Sequence, residues 1–492
     1  MNVESRPIPV LVALLFVSSG CRSTQPVSDP EYANLWHVPP QAATAPEASR
    51  AARLPVVAEL AGPHSVETFV AYALTQNPQV QAARKRVEAK ANRVPQAASL
   101  DDPTLGVNGY PFSPYELQTA GGRSTVNVMV EQTLPWFGKL EARSCAAEAE
   151  TDMARAELIA AELEVTEQVK RAYYELAFVQ QAITLTERSR ELLIQISAVA
   201  ETKYRTGTVS EQDLLRAQVE VSHVDSELIR LRQQQHSARA QLARWLHVSP
   251  ETELIAADDS SDQQIPQDVE RLYQQAILLR PELHAQLAAV RRDHHQVELA
   301  HLRYFPDVTI NGMWGGMARS GALSPVADGL PMVNIGAQIN VPIYRKKLEA
   351  GVREAEAQAV SSAREYDALK DRTAAEIKDL FAQALSLKEL VDLFRKDILP
   401  KAELTLDVSL AAYRVGQTDF LQLLDNWRQL LKFQITVHQL DSQLRQTLSS
   451  LERIIGGPLP ATPRQDAAST SASPVPPVPP ASNAPILENP PQ

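Results

Sequence analysis

The chain has 492 residues, 44% of them hydrophobic and only 5% aromatic, with 34 Pro, enough for about two to four domains. Its 48 Lys and Arg against 59 Asp and Glu leave a formal charge of −11, which argues against nucleic acid as a partner. Its two cysteines, Cys21 and Cys145, have no histidines at zinc-site spacing, so neither disulfides nor structural zinc build the fold.

Residues 8–17 form a short apolar run, too brief to span a bilayer as a helix but the right length for the core of a signal peptide over residues 1–20. The run ends in Ser18-Ser19-Gly20-Cys21, which resembles a bacterial lipobox. That resemblance implies cleavage before Cys21 and acylation, palmitate included, of the new terminus, and Arg22 in place of Asp implies passage to the outer membrane. An ordinary free cysteine is the alternative. Residues 21–64 then read as a tether from the lipid anchor. No later stretch has the roughly 18 to 20 consecutive apolar residues of a membrane helix, so any membrane crossing is β.

From residue 65 onward the chain is written twice. Asn77-Pro78-Gln79-Val80 aligns with Arg280-Pro281-Glu282-Leu283, and Asp102-Pro103 with Phe305-Pro306, both 203 positions later. Leu134-Pro135 then matches Val341-Pro342, Lys139-Leu140-Glu141-Ala142 matches Lys347-Leu348-Glu349-Ala350, and Tyr204-Arg205-Thr206-Gly207 matches Tyr413-Arg414-Val415-Gly416. The slow drift in offset predicts two repeats of one helix-strand-strand-helix-helix unit, over 65–255 and 267–458, joined by a linker at 256–266.

In each repeat, apolar residues alternate with polar ones in strand fashion. Val126, Val128 and Val130 do so in the first, and Val333, Ile335, Ala337, Ile339 and Val341 in the second. A weaker alternation at Leu105 and Val107, and at Val308 and Ile310, completes two strands per repeat. They fall at about 103–110, 125–134, 306–314 and 332–341, each of about nine residues, the length that crosses an outer membrane. The Gly-, Pro-, Ser- and Thr-rich segments 110–125 and 314–332 read as external loops. Trp136, Phe137, Phe305 and Tyr344 stand where strands meet helices, at headgroup depth. A soluble hairpin reads the same alternation. Four strands cannot close a transmembrane barrel, which begins at about eight. Copies must pool them.

The helices are long. A heptad seam runs from Leu214 through Val221, Leu228 and Leu242 to Trp245, and another from Leu423 through Leu430, Val437 and Leu444 to Ile454, each in a helix of about 38 residues or 57 Å. The helix before the first, from Leu140 to Lys203, reaches about 95 Å. Leu215, Leu424 and Leu431 beside the seams point to a second contact surface. Periodicity alone fits a plain antiparallel coiled-coil rod equally well.

The lipobox, the duplicated order, the Leu134-Pro135-Trp136-Phe137-Gly138-Lys139 strand exit and the two Tyr-Arg-x-Gly turns together resemble the TolC-like outer-membrane efflux factor family, from about residue 65 to 458. The resemblance implies a mainly α fold with a transmembrane β portion: a homotrimer whose 12-stranded β-barrel continues as a long α-helical periplasmic barrel. It implies a passive efflux conduit, not an enzyme, meeting a periplasmic adaptor (membrane fusion protein) and an inner-membrane pump of the resistance-nodulation-division type. Tyr204, Arg205 and Gly207, with Tyr413, Arg414 and Gly416, become adaptor-docking tips. Asp213 and Asp425 become a cation-selective periplasmic gate, with Gln422 where a further acid often stands. A simple C-cap role for each glycine and a solvated role for each acid remain open.

The strand exit resembles the heavy-metal branch, with monovalent copper or silver, or divalent cobalt, zinc or cadmium, as cargo. A drug-efflux or type I protein-secretion pairing and a lipid-anchored coiled-coil scaffold stand as alternatives. No phosphate loop, nucleophile elbow or His-Glu-x-x-His run is present, so no catalytic residue or cofactor is expected. His284, His294, His295 and His301 share one helix, and read as a polar face rather than a metal site. The Pro-, Ala- and Ser-rich tail, residues 459–492, reads as a flexible extension.

Overall fold

A computed structural model describes residues 55–109, 118–119, 122–257, 265–266, 268–318 and 330–459. The signal peptide, Cys21 and most of the tether lie outside them, as do much of the 256–266 linker, the outer parts of the two loops and nearly all of the tail.

The first repeat opens with strand β1 (Gly62–His64) and helices α1 (Val66–Gln76), α2 (Pro78–Ala91) and α3 (Arg93–Ala98). The Asn77-Pro78 pair starts α2 on physical grounds. The Asn77 side chain accepts from Gln79 N at 2.8 Å, and Pro78 fills the first helical position, where a missing N–H costs nothing. Strands β2 (Thr104–Gly109), β3 (Gln118–Thr119) and β4 (Gly122–Leu134) follow, then helices α4 (Lys139–Arg205) and α5 (Glu211–Leu246). After β5 (Leu254–Ala256), which pairs in parallel with β1, the pattern returns. It runs through α6 (Val269–Leu279), α7 (Pro281–Leu302), β6 (Val308–Ala318), β7 (Met332–Ile339), α8 (Arg345–Leu393), α9 (Leu399–Arg414) and α10 (Phe420–Ile455).

The two long arms differ in one respect. α4 runs 67 residues without a break, whereas α8 and α9 are joined by a π-helical turn at Phe394–Ile398, with Pro400 just beyond it. Lys347 to Tyr413 spans one residue more than Lys139 to Tyr204. A π turn takes up one extra residue while keeping the flanking helix in phase.

The long strands form one antiparallel sheet in the order β2-β4-β6-β7, with β3 alongside β4. Its register separates two faces. Val107, Val128, Trp314 and Val333 lie in one cross-strand row, and Leu105, Val130, Gly312 and Ile335 in the next, giving an apolar face. Leu105, Val107, Val130, Trp314, Val333 and Ile335 on it are exposed. The other face carries Asn108 and Asn127, then Glu131 and Asn311, then Thr133, Thr309 and Gln338.

The loop boundaries drawn from composition are too generous. β4 begins at Gly122 rather than 125 and β6 continues to Ala318 rather than 314, because Arg123 pairs with Ala318 and Ser124 with Met317. Glycines inside these strands are there for space. A Cβ on Gly315 would lie 2.9 Å from Asn127 Oδ1, and one on Gly336 2.5 Å from Asn311 Oδ1. Each is the register partner of that asparagine. Strand length also departs from a uniform nine: β2 has 6 residues and β4 has 13.

Three of the larger cores among the described residues hold the helices. Phe69, Val169, Tyr173, Leu176, Leu242 and Leu246 pack α1, α4 and α5 beside the β1–β5 pair. Leu272, Ile377, Leu451 and Ile454 do the same for α6, α8 and α10 in the second repeat. The third core lies where the repeats meet at their helix turns. The predicted seams are the buried stripes: Ala217, Val224, Leu228, Leu231 and Leu242 on α5, and Leu423, Val437, Leu444 and Leu451 on α10. Of the residues beside them, Leu424 is buried but Leu215 is 52% exposed.

Candidate docking and gating site at the helix turns

The α4–α5 and α9–α10 reversals are built alike. Gly207 N donates to Tyr204 O at 2.9 Å and Thr208 N to Lys203 O at 2.9 Å, while Gly416 N donates to Tyr413 O at 3.1 Å and Gln417 N to Ala412 O at 2.9 Å. This is the Schellman pattern, which needs a left-handed residue after the helix, and the glycines supply it with φ of 73° and 80°. A Cβ on either would meet nothing within 4 Å, so backbone is open to the outside at both turns.

The side chains around the two turns are not alike. Tyr204 is 40% exposed, whereas Tyr413 is 2% exposed and packs against Phe420 with ring centroids 5.6 Å apart. Lys203 reaches across from the first repeat. Its ammonium lies 4.6 Å from the Tyr413 ring centroid and donates to the Tyr413 carbonyl. A cavity of about 420 Å³ opens here, lined by Lys203, Thr208, Asp213, Tyr413, Arg414 and Asp419 among others. Among the described residues the buried Tyr413 hydroxyl has no hydrogen-bond partner. Burial pushes its pKa up to about 12, and the carboxylates of Asp213 and Asp419 push the same way.

The two acids expected at the gate therefore have different settings. Asp213, in the first turn of α5, faces the cavity under Tyr413. Asp425 does not line it. It is exposed on α10 and accepts from Gln429 Nε2 at 2.8 Å, and Gln422 is exposed one turn before it. Arg205 is exposed and paired with Glu201 at 2.6 Å, and Arg414 is exposed at the cavity rim.

Behind the turns, Leu193, Ile196, Ala217, Leu406, Leu423 and Trp427 join all four helices in one core. Trp427 Nε1 donates to Ser189 O at 3.2 Å. Arg428 grips the buried Glu220 with two hydrogen bonds, 2.8 and 2.5 Å, from α10 to α5, which raises the guanidinium pKa further. Lys203, Asp419, Trp427 and the Glu220–Arg428 pair escaped the sequence reading. Trp427, between seam residues Leu423 and Leu430, is the one that carried a signal: a tryptophan beside a heptad seam marks a wide contact.

At the other end of the helices, Trp136 stacks on Phe305 with ring centroids 5.4 Å apart and planes at 11°, and meets Phe137 edge-on. Lys139, 5% exposed, donates to Asp307 Oδ1 at 2.7 Å and Phe305 O at 3.0 Å, and Trp136 N donates to the same Asp307 oxygen at 2.8 Å. Tyr344 stands apart from this cluster, 74% exposed.

His295 and His294 approach Glu298 at 2.8 and 3.5 Å, and His284 approaches Leu278 O at 2.8 Å. Among the described residues no group of three or more His, Cys, Asp or Glu could hold a metal ion. Cys145 is a half-buried free thiol whose pKa burial and Glu148, Glu141 and Glu298 raise. Among the described residues no helix is long and apolar enough to cross a membrane.

The cobalt-zinc-cadmium resistance protein CzcC of Cupriavidus metallidurans is 23% identical over 399 residues, 81% of this chain and 91% of that protein. The crystal structure of the outer membrane protein VceC from Vibrio cholerae superposes with a TM-score of 0.66 at 21% identity, over 80% of this chain and 96% of that one. CusC, solved in states that accompany transmembrane channel formation, does so at 0.67 and 18% identity, over 81% and 93%. Residues 70–246 and 272–457 each match the family described as outer membrane efflux protein. With both repeats matched over their helices and strands, the chain belongs to the outer membrane efflux protein family and is a TolC-like channel component of the outer membrane.

Proposed function

We propose that three copies of this chain pool their sheets into one 12-stranded barrel and act as the passive exit duct of a tripartite efflux system. The observation that carries this reading is the sheet itself. Among the described residues β2 and β7 each pair on one side only, and an unpaired strand edge is not tolerated in lipid. Joining β7 of one copy to β2 of the next removes every edge under cyclic symmetry. The helices carry surfaces suited to the same assembly: Leu215, Val219 and Ile229 on α5, and Leu404 and Val408 on α9, are exposed apolar residues at helical spacing.

In this reading the helices extend into the periplasm, and the glycine turns receive an adaptor that couples the duct to an inner-membrane pump. Cys21 carries the lipid that tethers the chain beside its barrel. Asp213 and Asp425, repeated threefold, give the mouth a negative potential that admits cations and repels anions. The likeness to a cobalt-zinc-cadmium resistance protein supports divalent metal cations as cargo.

Planar-bilayer recording tests this. Detergent-resistant trimers should conduct and prefer cations, and Asp213→Asn with Asp425→Asn should abolish the preference while leaving conductance intact. Unchanged selectivity would remove the gate assignment alone. A monomer that never conducts would remove the duct.

A further inference from the structure

Where strands give way to long helices, the two repeats treat their cations in opposite ways. Lys139, opening α4, is buried and paired with Asp307 at 2.7 Å. α8 instead opens on Arg345, Lys346 and Lys347, all exposed, with no acid in its first turn. Among the described residues none of the three lies within ion-pair distance of a carboxylate, and Glu349, exposed one turn on, pairs with none of them. Arg345 makes one contact of note, its guanidinium 5.7 Å from the Tyr304 ring centroid. Three positive charges at the amino end of a helix also oppose its dipole, so the arrangement is unfavourable without a counter-charge.

The surroundings say what kind of counter-charge fits. Ile339, Val341, Ile343 and Tyr344 lead into the basic run with exposures of 59, 65, 65 and 74%, and Phe137 is 87% exposed across the strand exit. β7 ends at Ile339, so the cations stand just past the point where the chain leaves its apolar, outward-facing rows. Aliphatic residues, then an aromatic, then uncompensated cations follow the order of a lipid itself: acyl chain, glycerol region, phosphate.

We propose that Arg345, Lys346 and Lys347 bind the phosphate of anionic phospholipids in the periplasm-facing leaflet, with the acyl chains lying along Ile339, Val341 and Ile343. This rests on the channel reading only in that β6 and β7 lie in the bilayer. In the trimer the next copy is the competing counter-charge, because joining its β2 to β7 brings its own Asp101 and Asp102 to this end of the sheet; a triple substitution that loses trimers or conductance would assign the charges to that interface and overturn the lipid assignment.

The test uses the full-length channel with phosphatidylglycerol as probe, phosphatidylcholine as neutral control and inorganic phosphate as free anion. Native mass spectrometry counts the lipid retained after detergent exchange, and bilayer conductance reports the assembled channel. The native channel should retain phosphatidylglycerol over phosphatidylcholine, and inorganic phosphate should not displace it. Each juxtamembrane charge is worth about fivefold in affinity, so Arg345→Gln, Lys346→Gln and Lys347→Gln together should cut retention by at least tenfold with conductance unchanged. Arg345→Lys should keep most of it. Equal retention by the native and triply substituted channels would overturn the proposal, as would displacement by millimolar inorganic phosphate. A native protein that neither inserts nor conducts would instead overturn the channel reading.

Discussion

At the first-repeat turn Tyr204 is 40% exposed and at the second Tyr413 is 2% exposed, although the backbone around Gly207 and Gly416 hydrogen-bonds in the same pattern at both. What separates them is the neighbour. Lys203, one residue before Tyr204, covers Tyr413 from the opposite repeat, and Asp213 and Asp419 complete the enclosure. The strand exits differ in the same sense, Lys139 buried on Asp307 and its counterpart Lys347 exposed. Duplication has kept the torsions of this chain and released its environments. The positions with a special setting are those where one copy of a matched pair has acquired neighbours that the other lacks.

The largest expected effect follows from that pair of tyrosines. Tyr413→Ala empties a packed site against Phe420 and should cost about 3 to 5 kcal/mol. Tyr204→Ala, at a partly exposed site, should cost less than about 1 kcal/mol. Hydrogen exchange of the α9–α10 and α4–α5 turns in detergent reads both, and equal losses would break the comparison. In bilayers Tyr413→Ala should also raise spontaneous opening, because Lys203 loses its contact with the ring and keeps only its hydrogen bond to the backbone carbonyl across the repeats.

Much of this was legible in the sequence, and what was not has identifiable causes. The duplication, the four strands and the heptad seams follow from local periodicity, which burial enforces residue by residue. The turns were legible because left-handed backbone singles out glycine, as at Gly207 and Gly416. The end of β6 was not, because Gly315 and Gly316 resemble loop residues until Asn127, Thr125 and Val126 are seen to need the space. Nor was the contrast between Tyr204 and Tyr413, since it depends on Lys203, some 200 positions from the tyrosine it covers. The Glu220–Arg428 grip is hidden for the same reason: both residues look like ordinary solvated helix positions until α5 and α10 are side by side.

A smaller effect should appear at high pH. With its pKa raised to about 12 from 10.0, folded Tyr413 holds its proton more tightly than the unfolded chain does. The stability this contributes is complete below pH 10 and is lost as pH climbs towards 12, by up to about 3 kcal/mol. Tyr413→Phe, which also removes a buried hydroxyl that has no partner among the described residues, should be at least as stable as the native chain at pH 8 and should flatten that decline. Comparing the two proteins in one alkaline series of thermal unfolding cancels the lysines and other tyrosines. Parallel curves would show that Tyr413 titrates as an exposed residue does, and would return it to the condition of Tyr204.

The smallest effect sharpens the shared half of the comparison. Gly207→Ala and Gly416→Ala introduce a methyl group that meets nothing, so each should cost only the torsional penalty of a left-handed residue, about 1 kcal/mol. The two losses should agree within experimental scatter, because φ differs by only 73° against 80°. Asn should cost less than Ala at both turns, since its side chain tolerates this conformation. Adaptor affinity then separates the two roles of these glycines. If they serve only to end a helix, Ala and Asn should weaken adaptor binding in proportion to their small stability losses. If the adaptor packs on the open backbone, each added side chain blocks that approach, and Asn, the larger, should weaken binding more than Ala even while it destabilises less.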